Sequence, residues 1–504
     1  MSTAHDNLRT ELREIGIIGT IGSLLAWDEQ VIQPKADAAK SHRADEMAFV
    51  ARLHHERATS KKLGDLIAGA EAEAKSQDRY SDVAVVSRNA RRDYDRATKL
   101  PAELVAEMAR TEVLGQNAWA EARKKSDYAG FKPWLAKWID LKKQEVKCVG
   151  YKDHPYDALL DQYEPYETTA GVRKVFEQLR GPLVELVAKI GASPKKAPIE
   201  IMERSYPVKA QEDLGRAAAK AIGFDFESGR LDVSVHPFCS GIGPGDTRMT
   251  TRYHEHHFND AFFGVLHESG HALYEQGLPK SEHVGTALGE SISLGIHESQ
   301  SRMWENLVGR SRSFWKYFMP QARAAFPKTL EGVTEAQWYF AANAVQPSFI
   351  RVEADETTYN LHTLIRFELE QAMIEGSLGV DDVPGAWNER YKKYLGITPP
   401  DDAKGCLQDV HWSAGLIGYF STYTLGNLYS AQFFEQARKD LGDLDAMFAK
   451  GEFRPLLDWL RQNIHRHGRR YTARELVQKV TGADLSAEPL LRHLRGKASE
   501  LYGV

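Results

Sequence analysis

The sequence predicts a mostly α-helical protein with one small antiparallel β element. Three observations predict it. Apolar residues recur at helical spacing through most of the 504 residues. Period-2 alternation is confined to the stretch between Gly229 and Tyr253. No fixed-period repeat and no low-complexity linker divides the chain. Residues 1–504 therefore read as one body, with an N-terminal helical half, 1–225, and a second half, 226–504.

In the first half, residues 8–27 are amphipathic. Residues 35–74, rich in Ala, Glu, Lys and Arg, form a helix pair or one long helix. Residues 81–98 and 101–124 follow, with Pro101 where a first-turn proline belongs. Residues 131–149, 168–190 and 210–222 continue the pattern. The charged faces of these segments read as solvated helix surface. Residues 231–236 and 247–253 alternate as strands, and the glycine-rich 239–245 between them reads as the turn of a hairpin. That turn lacks the order of a phosphate loop. The hairpin is either a plain structural ribbon or an edge to which an extended peptide adds as a further strand. Beyond residue 300 the helical segments are 338–344, 357–375, 384–394, 413–436, 453–464 and 473–480. Pro399-Pro400 marks a loop.

Chemistry concentrates in residues 264–277, which hold His267-Glu268-Ser269-Gly270-His271. Phe262, Phe263, Leu266, Ala272 and Leu273 make the segment a buried helix, and Gly277 followed by Pro279 ends it. On a helix, i and i+4 share a face, so His267 and His271 can bind one divalent metal. Glu268 stands beside the first of them, placed to act on a water that the metal activates. A catalytic site of this kind needs a third ligand. Glu298, on a second helical stretch at 286–307, is the leading candidate, because two His and one Glu form a recurrent donor set; His297 and Asp260 are the alternatives. Zinc fits first, and cobalt or manganese could replace it.

Bulk composition excludes several classes. Hydrophobic residues at 42% and charged residues at 27% are those of a water-soluble globular chain. A net charge of −5 argues against a broad nucleic-acid-binding face. The three cysteines, Cys148, Cys239 and Cys406, form no CxxC pair and no disulfide framework. The opening residues are polar and carry no secretory signal, and no run of 18 apolar residues exists, so the expected location is the cytoplasm, with no membrane contact.

Five blocks follow one another in a telling order: His236-Pro237-Phe238, Asp246-Thr247-Arg248-Met249-Thr250, His267 to His271, His297-Glu298-Ser299-Gln300, and Gly405 to Trp412 with Gln408-Asp409-Val410-His411 inside it. Together with Leu24 to Asp28 and Arg351 to His362 they give the chain, nearly throughout, a sequence that resembles the carboxypeptidase Taq family of metal-dependent carboxypeptidases. The resemblance implies a saddle-like helical body with a deep groove, similar to neurolysin. It also implies a homodimer that removes single residues from peptide C-termini with broad preference. His411 and Tyr423, in a segment that looks like the His and Tyr region of related helical-groove peptidases, are the expected oxyanion donors, with Tyr419 as the alternative to Tyr423. Arg248 and Arg351 are the candidates for reading the free C-terminal carboxylate of a peptide; either could instead be a structural ion pair. His236 and Asp246 are expected beside the substrate or behind the metal site, and Asp409 behind His411. An oligoendopeptidase, a dipeptidyl carboxypeptidase and an inert peptide-binding scaffold are the competing readings.

Overall fold

Half of the α-helices among the described residues begin where a short polar side chain accepts a free first-turn amide. In the computed structural model, which describes residues 3–504, Thr3 and Asp6 form a capping box that opens α1 (Ala4–Val31). Ser60 accepts from Leu63 N and caps α3, so residues 35–74 become a pair, α2 (Asp37–Ala58) and α3 (Lys61–Ala74). The first half continues with α4 (Asp82–Lys99), α5 (Ala102–Lys125), α6 (Tyr128–Val149), the single turn α7 (Asp157–Leu160), α8 (Thr169–Ala192) and α9 (Val208–Ala221). Then come β1 (Gly229–Val233), β2 (Cys239–Gly243) and β3 (Asp246–Thr251). The second half is α10 (Phe258–Gly277), α11 (Leu294–Arg302), α12 (Arg312–Ala325), α13 (Glu335–Ala342), α14 (Tyr359–Glu375), α15 (Val383–Leu395), α16 (Ser421–Leu441), α17 (Leu444–Phe448), α18 (Arg454–Asn463), α19 (Ala473–Thr481) and α20 (Glu488–Tyr502). Among the described residues no helix is long and apolar enough to cross a membrane.

One hydrophobic core runs from Ala122 to Tyr502. A smaller one, built from Leu8, Ile15, Leu63, Ile67 and Val85, lies under α1, α3 and α4 and is closed by Leu288 of the second half. The seam between α1 and that half is tight. A Cβ on Gly16 would stand 2.6 Å from Gly285 Cα, and Gly285 itself has φ +72°.

Three expectations are corrected. The β element is a three-stranded sheet of order β1-β3-β2 rather than a hairpin. Its antiparallel pair is β2 with β3, while β1 lies parallel to β3. The glycine-rich residues expected to turn instead form β2. Gly241 is glycine because a side chain there would collide with Glu275 and Lys280, and the turn is confined to Pro244 and Gly245 at φ +72°. The helix expected over 286–307 begins only at Leu294, where Ser293 accepts from Ile296 N at 3.0 Å, and passes after Arg302 into a wider π-helical stretch, Met303–Gly309. Residues 413–420 are a loop rather than the first turns of α16, since Gly415 and Gly418 have φ +67° and +102°.

These elements converge on α11. Met249 of β3 faces Ser269 of α10, whose hydroxyl lies 3.5 Å from the thioether sulfur, and α10 in turn packs on α11. A Cβ on Gly270 would come 2.5 Å from the Gln300 carbonyl oxygen and 2.6 Å from Ser301 Cα. On the other side of α11, a Cβ on Gly426 of α16 would come 2.6 Å from Glu298 Cγ. Gly426→Ala is therefore expected to lower stability by about 1–3 kcal/mol through overpacking and to displace Glu298. Chemical denaturation checks the first effect and metal titration the second. A variant as stable and as tightly metal-binding as the parent would show that α11 is not clamped there.

Candidate metal centre and active site

His267 and His271 lie one turn apart on α10, with ring centroids 4.9 Å from each other. Their Nε2 atoms stand 3.7 and 3.4 Å from Glu298 Oε2 on α11. The three donor atoms all lie within 4.8 Å of one another. Two imidazole nitrogens and one carboxylate oxygen converging this closely fit a divalent metal.

The far side of each donor is fixed. His267 Nδ1–H donates to Glu305 Oε2 at 2.9 Å, which leaves Nε2 with its lone pair toward Glu298. His271 is oriented through a relay. Glu275 Oε1 accepts from His297 Nε2–H at 2.7 Å, so His297 Nδ1 is the acceptor and His271 Nδ1–H the donor across 2.5 Å. Lys280 pairs with Glu275 and so completes the relay. Glu298 Oε1 accepts from Arg302 Nε at 2.7 Å, and Ser301 Oγ donates to Oε2 at 3.1 Å. Burial alone would raise the Glu298 carboxyl, but Arg302 and the two imidazoles outweigh it and hold the group well below the usual carboxylate range. Burial likewise opposes charging of His267, yet Glu298 and Glu305 together raise its pKa.

Glu268 differs from every carboxylate around it. It is 6% exposed and makes no hydrogen bond among the described residues. Burial pushes its pKa up to about 7; His267 opposes the shift and Glu298 reinforces it. A buried carboxylate with no fixed partner, titrating near neutrality beside a metal-ligand cluster, is suited to accept and return a proton.

A second cluster stands on α16 and the loop before it. His411 Nε2 is 3.2 Å from the Tyr423 hydroxyl, and the Tyr419 ring lies 5.3 Å from His411 and 5.4 Å from Tyr423. Tyr359 links the two clusters: its ring is 4.3 Å from the Arg302 guanidinium and 5.9 Å from Tyr423. Burial, with Arg351 adding to it, lowers His411 to about 3, so the imidazole is neutral. Arg351 is 5% exposed and lies 4.9 Å from the Tyr423 ring. It donates to Asp409 at 2.9 Å and to the Tyr359 hydroxyl at 2.7 Å. Arg366 meets the other oxygen of Asp409 at 2.7 Å.

The remaining candidates fall elsewhere. Arg248 is held by Asp246 through two 2.8 Å hydrogen bonds and stacks 4.4 Å from the Trp27 ring; among the described residues it contacts neither cluster. His236 is exposed, and its ring hydrogen-bonds nothing described, so it does not stand behind the metal donors. Asp409 is 4.0 Å from His411 Nδ1, beyond a hydrogen bond, because its oxygens are taken by Arg351 and Arg366. Of the alternative third ligands, His297 supports His271, and Asp260 pairs with Arg252 two turns before His267. Sequence reasoning missed Glu275, Arg302 and Glu305. Two of these carried a signal, since Glu275 repeats the i+4 step after His271 and Arg302 stands at i+4 from Glu298.

A family model described as carboxypeptidase Taq (M32) metallopeptidase matches residues 7–498. The chain is 47% identical to thermostable carboxypeptidase 1 of Thermus thermophilus over 99% of each chain, and 37% identical to carboxypeptidase 1 of Bacillus subtilis over 97% of each. The solved structure of an M32 carboxypeptidase from Deinococcus radiodurans R1 superposes over all of both chains with a TM-score of 0.94 at 41% identity. A Pyrococcus furiosus carboxypeptidase structure does so over 99% of each chain with a TM-score of 0.94 at 37% identity.

Glu305→Gln keeps the shape of the side chain and removes the charge that orients His267. It is expected to weaken metal binding about tenfold with the fold intact, read by chelator competition and circular dichroism. An unchanged affinity would show that Glu305 does not tune the donor.

Proposed function

The chain belongs to the carboxypeptidase Taq (M32) metallopeptidase family, and from that premise we propose that it is a metal-dependent carboxypeptidase that removes single amino acids from peptide C-termini with broad side-chain preference. The observation that carries this reading is the convergence of His267, His271 and Glu298 beside an unpartnered Glu268. His267, His271 and Glu298 hold one divalent metal, zinc before cobalt or manganese. When bound there, the metal supplies Lewis acidity toward the scissile carbonyl and toward water.

Glu268 takes the proton of the attacking water on a carboxylate oxygen and returns it to the leaving amine. Burial raises its pKa to about 7 in the metal-free site, and a bound divalent cation would favour the carboxylate, the form that accepts the proton of the water. Tyr423 is the principal donor to the developing oxyanion. His411 Nε2 lies 3.2 Å from the Tyr423 oxygen; in the neutral tautomer with its proton on Nε2 it donates to that oxygen and frees the phenol proton to point at substrate. Tyr419 packs against both and excludes water. Arg351 reads the C-terminal carboxylate in preference to Arg248. Arg351 and Arg366 share one Asp409, so that trio keeps one net positive charge beside Tyr423, whereas Arg248 is neutralised by Asp246 and stacks on Trp27 away from both clusters. We assign the chain to the cytoplasm as a homodimer acting on peptides, without nucleic-acid or membrane partners. Its family resemblance and three free cysteines support that assignment.

Mass spectrometry of a mixed peptide set tests the reaction. Stepwise loss of single C-terminal residues is expected, stopped by a chelator, restored by added metal and strongly reduced on C-terminally amidated peptides. Internal fragments would overturn the carboxypeptidase reading. Glu268→Gln is expected to retain metal and fold while kcat falls by about 10²–10⁴. A near-parental rate in that variant would remove Glu268 from the mechanism.

A further inference from the structure

Apart from the two clusters, a partly open cavity of about 270 Å³ lies between α4 and the segment leading into α19. Arg79, Arg88 and Arg469 line it against one carboxylate, Glu475. It is far larger than the roughly 30 Å³ that one water occupies in the liquid.

Of the three arginines that line the cavity, two are matched by carboxylates, as are the nearby Arg470 and Arg92. Arg79 pairs with Glu475 at 2.7 Å, and Arg470 with Asp82 at 2.7 Å. Arg92 pairs with Asp161 at 2.8 Å, and Arg469 with Glu290 at 3.0 Å and Asp93 at 3.3 Å. Arg88 has no carboxylate partner among the described residues. Its Nη1 donates to the Arg79 carbonyl at 2.8 Å and its Nη2 to the Arg470 carbonyl at 3.4 Å. Those contacts fix the plane of the guanidinium and use two of its five N–H groups. A partly buried guanidinium, held by carbonyls and lacking a counter-ion, leaves a fork free for an oxyanion.

Besides Asn89 and Thr472, the rest of the wall is aromatic and apolar. Tyr166 and Tyr471 line the cavity with Ile292. Tyr166 holds φ at 67°, a conformation that costs a non-glycine residue free energy, and its amide is tied to Asp161 Oδ1 at 2.7 Å. Its backbone is thus fixed at the cavity wall.

We propose that this cavity binds a small organic anion, a phosphate or carboxylate group carried on an aromatic or apolar body, with Arg88 as the fork that receives the anion. The ligand is distinct from the peptide substrate.

Calorimetric titration of the metal-loaded full chain with phenyl phosphate tests the proposal, with phenol as the neutral control. Binding of phenyl phosphate and not of phenol is expected. Arg88→Gln should weaken it by about tenfold or more while peptide hydrolysis stays at the parental rate. His267→Ala, which disables the metal centre, should leave it intact. No binding at about 10 mM, equal binding by the Arg88→Gln protein, or loss in the His267→Ala protein would each overturn the proposal. So would an Arg88→Gln variant that loses peptide hydrolysis and binding together, since the cavity would then belong to the substrate groove. A crystal structure of the parent with phenyl phosphate decides the matter without any variant: the anion on the Arg88 fork supports the site, and the anion elsewhere overturns it.

Discussion

The close contact of α11 with α10 and α16 is the constraint on which the candidate active site depends. Two glycines set it. Gly270 lets the backbone of α11 approach the His-bearing helix at Gln300 and Ser301, and Gly426 lets α16 close on Glu298 from behind. Ser299 and Ser301, both fully buried, satisfy their hydroxyls on the helix itself, by bonding to the Ile296 and Glu298 carbonyls. With side chains at either glycine the helices would stand apart, and Glu298 would no longer face the two Nε2 atoms. The metal-ligand geometry is thus a packing result before it is an electrostatic one.

Electrostatics then decides what the packed groups can do. Removing a carboxylate from water is costly, and the cost is offset only by partners with good geometry. Glu298 has Arg302, Ser301 and two imidazoles; Glu305 has His267, Arg302 and Arg310; Glu275 has His297 and Lys280. All three sit below the usual carboxylate range, with Glu305 and Glu275 at about 2. They remain anionic across the physiological range, which holds the imidazole tautomers constant. The π-helical stretch Met303–Gly309 belongs to the same arrangement, because it carries Glu305 to His267.

Much of this was legible in the sequence, and the reasons for the remainder are physical. The His267, Glu268, His271 spacing reports a helix face directly, and Glu298 followed from the ligand count. Helix positions in the first half were readable from periodicity, but periodicity leaves open whether residues 35–74 form one helix or two, and the cap at Ser60 decides for a pair. The sheet was misread because glycine has two uses. Gly241 serves close approach to Glu275 and Lys280, not a turn, and composition alone cannot tell these apart. The role of Asp409 was misread for a related reason. Proximity in sequence suggested His411, but two arginines from distant segments, Arg351 and Arg366, outbid a neutral imidazole for its oxygens. Trp27 shows the same limit, since only the folded chain brings α1 across to stack on Arg248.

Three buried glutamates then show how environment assigns roles to one residue type. Glu164 stands at the start of α11, accepting from Ser293 Oγ at 2.8 Å, Gly295 N at 3.0 Å and Tyr429 at 3.1 Å. It has hydrogen bonds and no cation, and burial pushes it to about 7. Glu268 has no hydrogen bond and no arginine or lysine partner, only the weaker opposition of the His267 and His297 imidazoles, and also reaches about 7. Glu298 has both hydrogen bonds and an arginine, and stays far below. The equal values for Glu164 and Glu268 hide a difference that matters. A proton entering Glu164 competes with hydrogen bonds from Ser293, Gly295 and Tyr429, the first of which caps α11, whereas a proton entering Glu268 disturbs nothing that the structure has fixed. A shifted pKa therefore does not identify the base by itself. What singles out Glu268 is the shift together with a carboxylate left free to move its proton, one residue from a metal donor.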